Sequence, residues 1–225
     1  MRKTQLIDLG LASYHKVWKY QEELLEEIQL KKKKGEAFNN YVLFVEHPPV
    51  FTLGRNANES NLLMSRSQLA DDKIEIFKIN RGGDITFHGP GQLVVYPIID
   101  MQSFQMGVKD YVTALEQVVI DTLHEYGIEG KRLPKATGVW IEPESKDARK
   151  ICAIGVRCSQ YVTMHGFALN GNTDLTYFRR INPCGFIDKG VTSIQKEQGA
   201  KPIVIYLLKD RVKEAFKQNF EVEWL

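Results

Sequence analysis

Three cysteines, Cys152, Cys158 and Cys184, are the natural nucleophiles of this 225-residue chain, and their settings differ. Cys184 sits in RINPCGF between Pro183 and Gly185, a rigid turn of the kind that leaves a thiol accessible. Cys152 lies inside the apolar run ICAIGVR and reads as a small hydrophobe. Cys158 follows Arg157 at the end of that run, and nothing around it suggests a role. A free thiol is only about 3% ionised at pH 7, so a nucleophilic cysteine needs a cation beside it. Lys150, at the head of the same run, is the candidate. A lysine at a strand start is ordinarily just exposed; an ammonium beside a thiol would instead favour the thiolate. A downward shift of about two units, roughly 2.7 kcal/mol, makes the thiolate the major form. Burial in turn lowers a lysine's own pKa, which lets such a side chain pass a proton in both directions.

A second cluster lies in RGGDITFHGPGQLVVYP, Arg81 to Pro97. Gly82 and Gly83 allow close approach of the backbone to a ligand and leave N–H groups free to point at it. Gly89, Pro90 and Gly91 make a second tight turn after His88. A ligand carbonyl or phosphate fits between two such turns, and so does a plain β-hairpin with glycines at its bends. The segment lacks the GK[ST] ending of a phosphate-binding loop and the GxGxxG dinucleotide fingerprint. No HExxH spacing argues for a metal, and no GxSxG elbow argues for a serine hydrolase. His165, in MHGFALN, is followed by Gly166, and its strand could bring backbone N–H groups to the same place. Asn170 and Asp174 read as turn or cap residues.

The elements that must position these groups follow from periodicity. Val17, Tyr20, Leu24 and Ile28 predict a helix over about 14 to 30, closed by a basic turn, Lys31 to Lys34, and Gly35. YVLFVEH, 41 to 47, has the density of a buried strand ended by Pro48 and Pro49. IEIFKIN, 74 to 80, alternates like a half-buried strand, and LVVYPI, 93 to 98, is another apolar one. Tyr111, Leu115, Val118, Thr122 and Tyr126 predict a second long helix ended near Gly127. Three strands follow between 138 and 170, and Leu208, Val212, Ala215 and Phe216 mark a C-terminal helix. Strand runs flanked by a few helices predict one α+β domain over 1–225 on a mixed or antiparallel sheet.

Bulk properties narrow the partners. Hydrophobic residues make up 43% and charged residues 26%, an ordinary globular balance, and a net charge of +2 gives no argument for nucleic acid. A local basic surface for an acidic protein remains compatible with it. The start of the chain has no apolar signal core, and no run approaches a membrane span. Three cysteines do not make a disulfide framework, so a reducing, cytoplasmic compartment is expected.

Four ordered motifs carry a resemblance: EHPPVFTLGR, RGGDITFHGPGQLVVYP, KICAIGVR, and the pair HGFALN and INPCGF. Together they resemble the lipoyl(octanoyl) transferases of lipoate biosynthesis over nearly the whole chain. The resemblance implies the catalytic-domain fold of the biotin and lipoate protein ligases. It implies an octanoyl or lipoyl group taken from acyl carrier protein to a lysine of a lipoyl domain, with Cys184 as the acyl-thioester residue and Lys150 as the site lysine. Lipoyl domains of 2-oxoacid dehydrogenases and the glycine-cleavage carrier would be the acceptors. It further implies a substrate-binding set of Arg81, Gly82, Gly83, Asp84, Ile85, Thr86, Phe87 and His88, then Ala153, Ile154 and Gly155, then Gly166, Phe167 and Ala168. Cys152 departs from the pattern, where alanine is commoner. Thioester-to-amide exchange is downhill, so no cofactor, ATP or metal is expected. About seven carbons beyond the carbonyl, at roughly 0.8 kcal/mol each, would add on the order of 5–6 kcal/mol in an apolar tunnel. Lys31 to Lys34 read first as a solvated charge run at a helix end; with Lys131 and Arg132 they are also candidate docking cations for the acidic carrier. The rival on the same fold is an ATP-dependent lipoate or biotin ligase; a rival outside catalysis is a protein that binds acyl carrier without a covalent step.

Overall fold

Tyr41, Leu43 and Val45 bury one face of their strand, and Val42 and Phe44 bury the other. A strand apolar on both sides belongs inside a sheet covered on both faces, and this one is. The computed structural model describes residues 2–182 and 189–225. In chain order its elements are β1 (Arg2–Leu11), α1 (Tyr14–Lys34), β2 (Asn40–Glu46), β3 (Val50–Leu53), α2 (Arg66–Asp71), β4 (Glu75–Lys78), β5 (Ile85–His88) and β6 (Gln92–Ile98). There follow α3 (Val108–His124), β7 (Lys131–Leu133), β8 (Ala136–Ile141), β9 (Arg149–Ser159), β10 (Val162–Asn170), β11 (Gly190–Val191), α4 (Ile194–Glu197), α5 (Ile205–Phe220) and β12 (Val222–Trp224).

The large sheet runs β12-β1-β2-β6-β10-β9-β8-β7, with β11 added alongside β9. Its pairings are mixed: β1 is parallel to β2 and β12, while β2, β6, β10, β9 and β8 are antiparallel to one another in turn. Helix α1 covers one face through Val17, Leu24, Leu25 and Ile28. Helices α3 and α5 cover the other, where Leu115, Val118, Leu208 and Phe216 pack on Phe44, Val95 and Phe167. Helix α1 ends as its last basic turn and Gly35 predict: Gly35 adopts φ 69° and its N–H caps the Lys31 and Lys32 carbonyls. A small sheet, β4-β3-β5, encloses its own core of Phe51, Phe87 and Phe178.

Three elements differ from the sequence expectation. Strand β1 was not expected, because RKTQLIDLGL is polar and only partly buried; its place beside β2 makes it a strand. The glycine-rich segment is not a hairpin. Strand β5 pairs with β3 in the small sheet, Leu53 opposite Ile85 and Val50 opposite His88, while β6 enters the large sheet between β2 and β10. IEIFKIN narrows to β4, an edge strand with β3 as its neighbour, which leaves Ile76 exposed.

Candidate active site

A cavity of about 500 Å³ lies between the Arg81–Asp84 loop, the small sheet and strands β6, β9 and β10. That is within the roughly 300–1,000 Å³ usual for small-molecule sites. Register explains why separate motifs meet there. Ala153, Ile154 and Gly155 on β9 are the direct cross-strand partners of Ala168, Phe167 and Gly166 on β10. The Arg81 loop is laid across them, with the Gly82 N–H donating to the Val156 carbonyl at 3.0 Å. Gly155 makes this possible: a Cβ there would come within 2.9 Å of both Arg81 Cδ and the Gly82 carbonyl. Arg81 is buried, and its guanidinium donates to the Thr52 carbonyl at 2.8 Å and to Thr52 Oγ1 at 2.9 Å.

The cavity is lined by Arg81, Gly82, Gly83, Asp84, Ile85, Thr86, His88, Lys150, Ala153, Ile154, Gly155, Gly166, Phe167 and Ala168. Phe87 is apart from them. It points to the opposite side of β5 from Thr86 and His88, stacks on Tyr177 at 4.4 Å between centroids, and serves the small sheet's core. Cys184 lies in 183–188, outside the described residues.

At one end of the cavity stands Lys150. Its Nζ donates to the Thr137 carbonyl at 3.1 Å and sits 4.7 Å from the centroid of the Trp140 ring. The chain returns here after residue 188: β11 pairs with β9, Val191 opposite Lys150, and the Thr192 N–H donates to the Lys150 carbonyl at 2.9 Å. Cys152 is fully buried two residues along, and burial drives its thiol pKa well up despite the Lys150 charge, so it stays a protonated core group.

The other end holds Tyr14, Tyr96 and His47, which sequence reasoning missed. Tyr14 and Tyr96 line the cavity with His88 and His165, and His47 sits behind them. His47 bonds the Ala12 carbonyl at 2.8 Å and the Tyr96 hydroxyl at 2.9 Å. His88 Nδ1 meets Gln92 Oε1 at 2.8 Å. His165 adopts φ 58° inside β10; its backbone N–H donates to Gln21 Oε1 at 2.8 Å and its Nε2 meets Asn80 Oδ1 at 3.0 Å. Burial pushes all three imidazoles down, His47 to about 4, His88 to about 3 and His165 to about 3. Arg81 adds to the effect at His88 and His165. All three are neutral at pH 7. The available signal was three histidines and two tyrosines embedded in apolar strands or at a helix start, where an exposed polar residue is out of place.

A buried polar chain joins the two ends. His88 meets Gln92; Gln92 Nε2 donates to Asn170 Oδ1 at 2.9 Å; Asn170 Nδ2 donates to the Thr192 carbonyl at 2.9 Å. Asn170 is thus an interior bridge rather than the turn or cap residue expected. Asp174 does cap, accepting from the Thr176 N–H at 2.9 Å.

Most of the candidate docking cations are paired within the chain. Lys31 pairs with Glu27, Lys32 with Asp100, Lys34 with Glu36, Lys131 with Glu129 and Arg132 with Glu116. Around the cavity, Lys135 lines the wall, and Arg55 and Arg157 flank the lining residues Asn56 and Val156. Among the described residues none of these three has an acid within ion-pair distance. Among the described residues, too, no group of three or more His, Cys, Asp or Glu is set to hold a metal ion, and no helix is long and apolar enough to cross a membrane.

Comparison with known proteins places the chain. The lipoyl protein ligase A/B catalytic domain family matches residues 13–217. The octanoyltransferase of Bacteroides thetaiotaomicron is 54% identical over 195 residues, covering 87% of this chain and 86% of that protein. The octanoyltransferase of Christiangramia forsetii is 45% identical over 228 residues, covering 99% and 97%. Among solved structures, the bipartite lipoate protein ligase of Thermoplasma acidophilum superposes with a TM-score of 0.73 at 12% identity, over 100% of this chain and 86% of that one. The biotin protein ligase of Aquifex aeolicus superposes at 0.53 with 16% identity, over 98% and 70%. These last two are likenesses of fold.

Proposed function

This chain belongs to the octanoyltransferases of the lipoyl protein ligase A/B catalytic domain family, and we propose that it works through an octanoyl thioester on Cys184. In the first half-reaction the Cys184 thiolate attacks the thioester carbonyl of octanoyl-acyl carrier protein. A carbon–sulfur bond forms to Cys184, the bond to the phosphopantetheine sulfur breaks, and that thiolate leaves to be protonated. In the second, the amine of a lipoyl-domain lysine attacks the acyl-enzyme. The amide bond forms, Cys184 leaves as thiolate, and the amine's proton passes through Lys150. Backbone N–H groups of the glycine-flanked turns stabilise the oxyanion in both steps. Neither step consumes ATP, and both partners are proteins of the cytoplasm.

The observation that supports the reading is the return of the chain to the lysine six residues after Cys184, where Gly190 and Val191 pair with Arg149 and Lys150. The cations around the cavity, Arg55, Lys135 and Arg157, suit an acidic carrier better than Lys31, Lys32 and Lys34, which are paired.

Intact-protein mass spectrometry after incubation with octanoyl-acyl carrier protein tests this. The expected product is a hydroxylamine-labile octanoyl adduct that Cys184→Ser abolishes. Turnover of free octanoate with ATP, surviving Cys184→Ala, would instead assign the chain to ligase chemistry.

A further inference from the structure

Strands β8 and β9 fall out of register beside the site lysine. Val139 lies opposite Cys152, yet the next residue, Trp140, lies opposite Lys150 rather than Ile151. The extra residue on β9 is a bulge, a device that re-aims side chains. Here it sets Trp140 directly across from Lys150. Trp140 is almost fully buried, and its Nε1 donates to the Ala136 carbonyl at 2.9 Å, which locks the plane of the indole. The Lys150 Nζ lies over the locked face at 4.7 Å from the centroid and donates to the Thr137 carbonyl at 3.1 Å. Gly138, between these two partners, has φ 121°. A Cβ there would lie 2.5 Å from the Cys152 carbonyl and 3.5 Å from Lys150 Cε, so a larger residue would push β8 off the lysine stem.

We propose that Trp140 is a positioning residue for the transfer: its indole face, with the Thr137 carbonyl, holds the Lys150 ammonium on the cavity wall. A lysine is a point charge on a flexible four-carbon stem, and unrestrained it samples many rotamers. The negative face of an indole attracts a cation without accepting its proton. Held between the carbonyl and the ring, the ammonium stays on the wall where the proposed thiol and, later, the incoming amine would meet it. This inference rests on the proposed Lys150 and Cys184 pairing.

The test separates the two. Iodoacetamide alkylation of Cys184 is followed against pH by intact mass, together with the rate of octanoyl-enzyme formation. Lys150→Ala serves as reference: a wild-type alkylation midpoint equal to that of Lys150→Ala would remove the pairing itself. Ring-fluorinated tryptophans are then placed at position 140, which keeps shape and N–H but drains the face of negative potential. The expected result is a stepwise rise in the Cys184 midpoint and a stepwise loss of acylation rate, reaching about tenfold. Trp140→Phe stays within a few-fold of wild type, and Trp140→Leu loses tenfold or more. A fluorinated series with unchanged midpoint and rate, while Lys150→Ala differs from wild type, overturns the role of the ring. Because fluorination leaves packing intact, that series decides even where Trp140→Leu fails to fold.

Discussion

The two ends of the cavity treat polar groups in opposite ways. At the Lys150 end a half-buried cation keeps a carbonyl and an aromatic face as partners. At the histidine end His47, His88 and His165 are buried and neutral, each tied to a specific oxygen. The contrast separates labour within one pocket. On the proposed mechanism the proton is moved at the more exposed Lys150 end. The dry end instead fixes shape, because a buried neutral imidazole with a hydrogen-bond partner is rigid and costly to displace.

The sharpest way to break this comparison is at the first end. Lys150→Ala should slow both half-reactions by about 10²–10⁴-fold with thermal stability retained; single-turnover acylation at wild-type rate would take Lys150 out of the chemistry. The second end answers to acid. The three imidazoles bind fewer protons folded than unfolded, so their contribution is complete above pH 6.5 and drains away as pH falls toward their folded values near 3 to 4. Between pH 7.5 and 5.5 each should cost about 1.4 kcal/mol of unfolding free energy. Urea titrations at the two pH values measure it, and a flat profile would show the histidines free to ionise in place. Next in size is the bridge between the ends. Asn170→Ala strands Gln92 and the Thr192 carbonyl and should destabilise by roughly 2–3 kcal/mol. If the bridge also positions the return of the chain past Lys150, acylation slows beyond what stability explains. The smallest effect belongs to the surface. Arg55→Ala, Lys135→Ala and Arg157→Ala should each raise KM for the acyl carrier a few-fold at low salt and less at high salt. Equal losses from Lys31→Ala would return docking to α1.

Much of the frame was legible because burial on both faces leaves a continuous apolar run, as at 41–45, and because helix periodicity and a left-handed glycine mark α1 from start to stop. Strand β1 was not legible: its polar residues become a strand only through pairing with β2. Nor were the separate destinations of β5 and β6, since alternation over Ile85–His88 is the same in a hairpin and across two sheets. The site motifs were legible as local chemistry, while Tyr14, His47 and Tyr96 were not, because each lies in a stretch that also reads as core or as a helix start.

By itself the sequence offered the candidate reactive groups and their order along the chain, and determined the family, since residue types and short motifs are local properties. Only the tertiary structure decided that 153–155 would lie against 166–168, that Phe87 would turn away from the cavity, that Lys31, Lys32 and Lys34 would pair with neighbouring acids, and that a bulge would put an indole under Lys150. Those outcomes depend on register and sheet order, which arise from contacts between distant segments and leave no mark in any short window of residues.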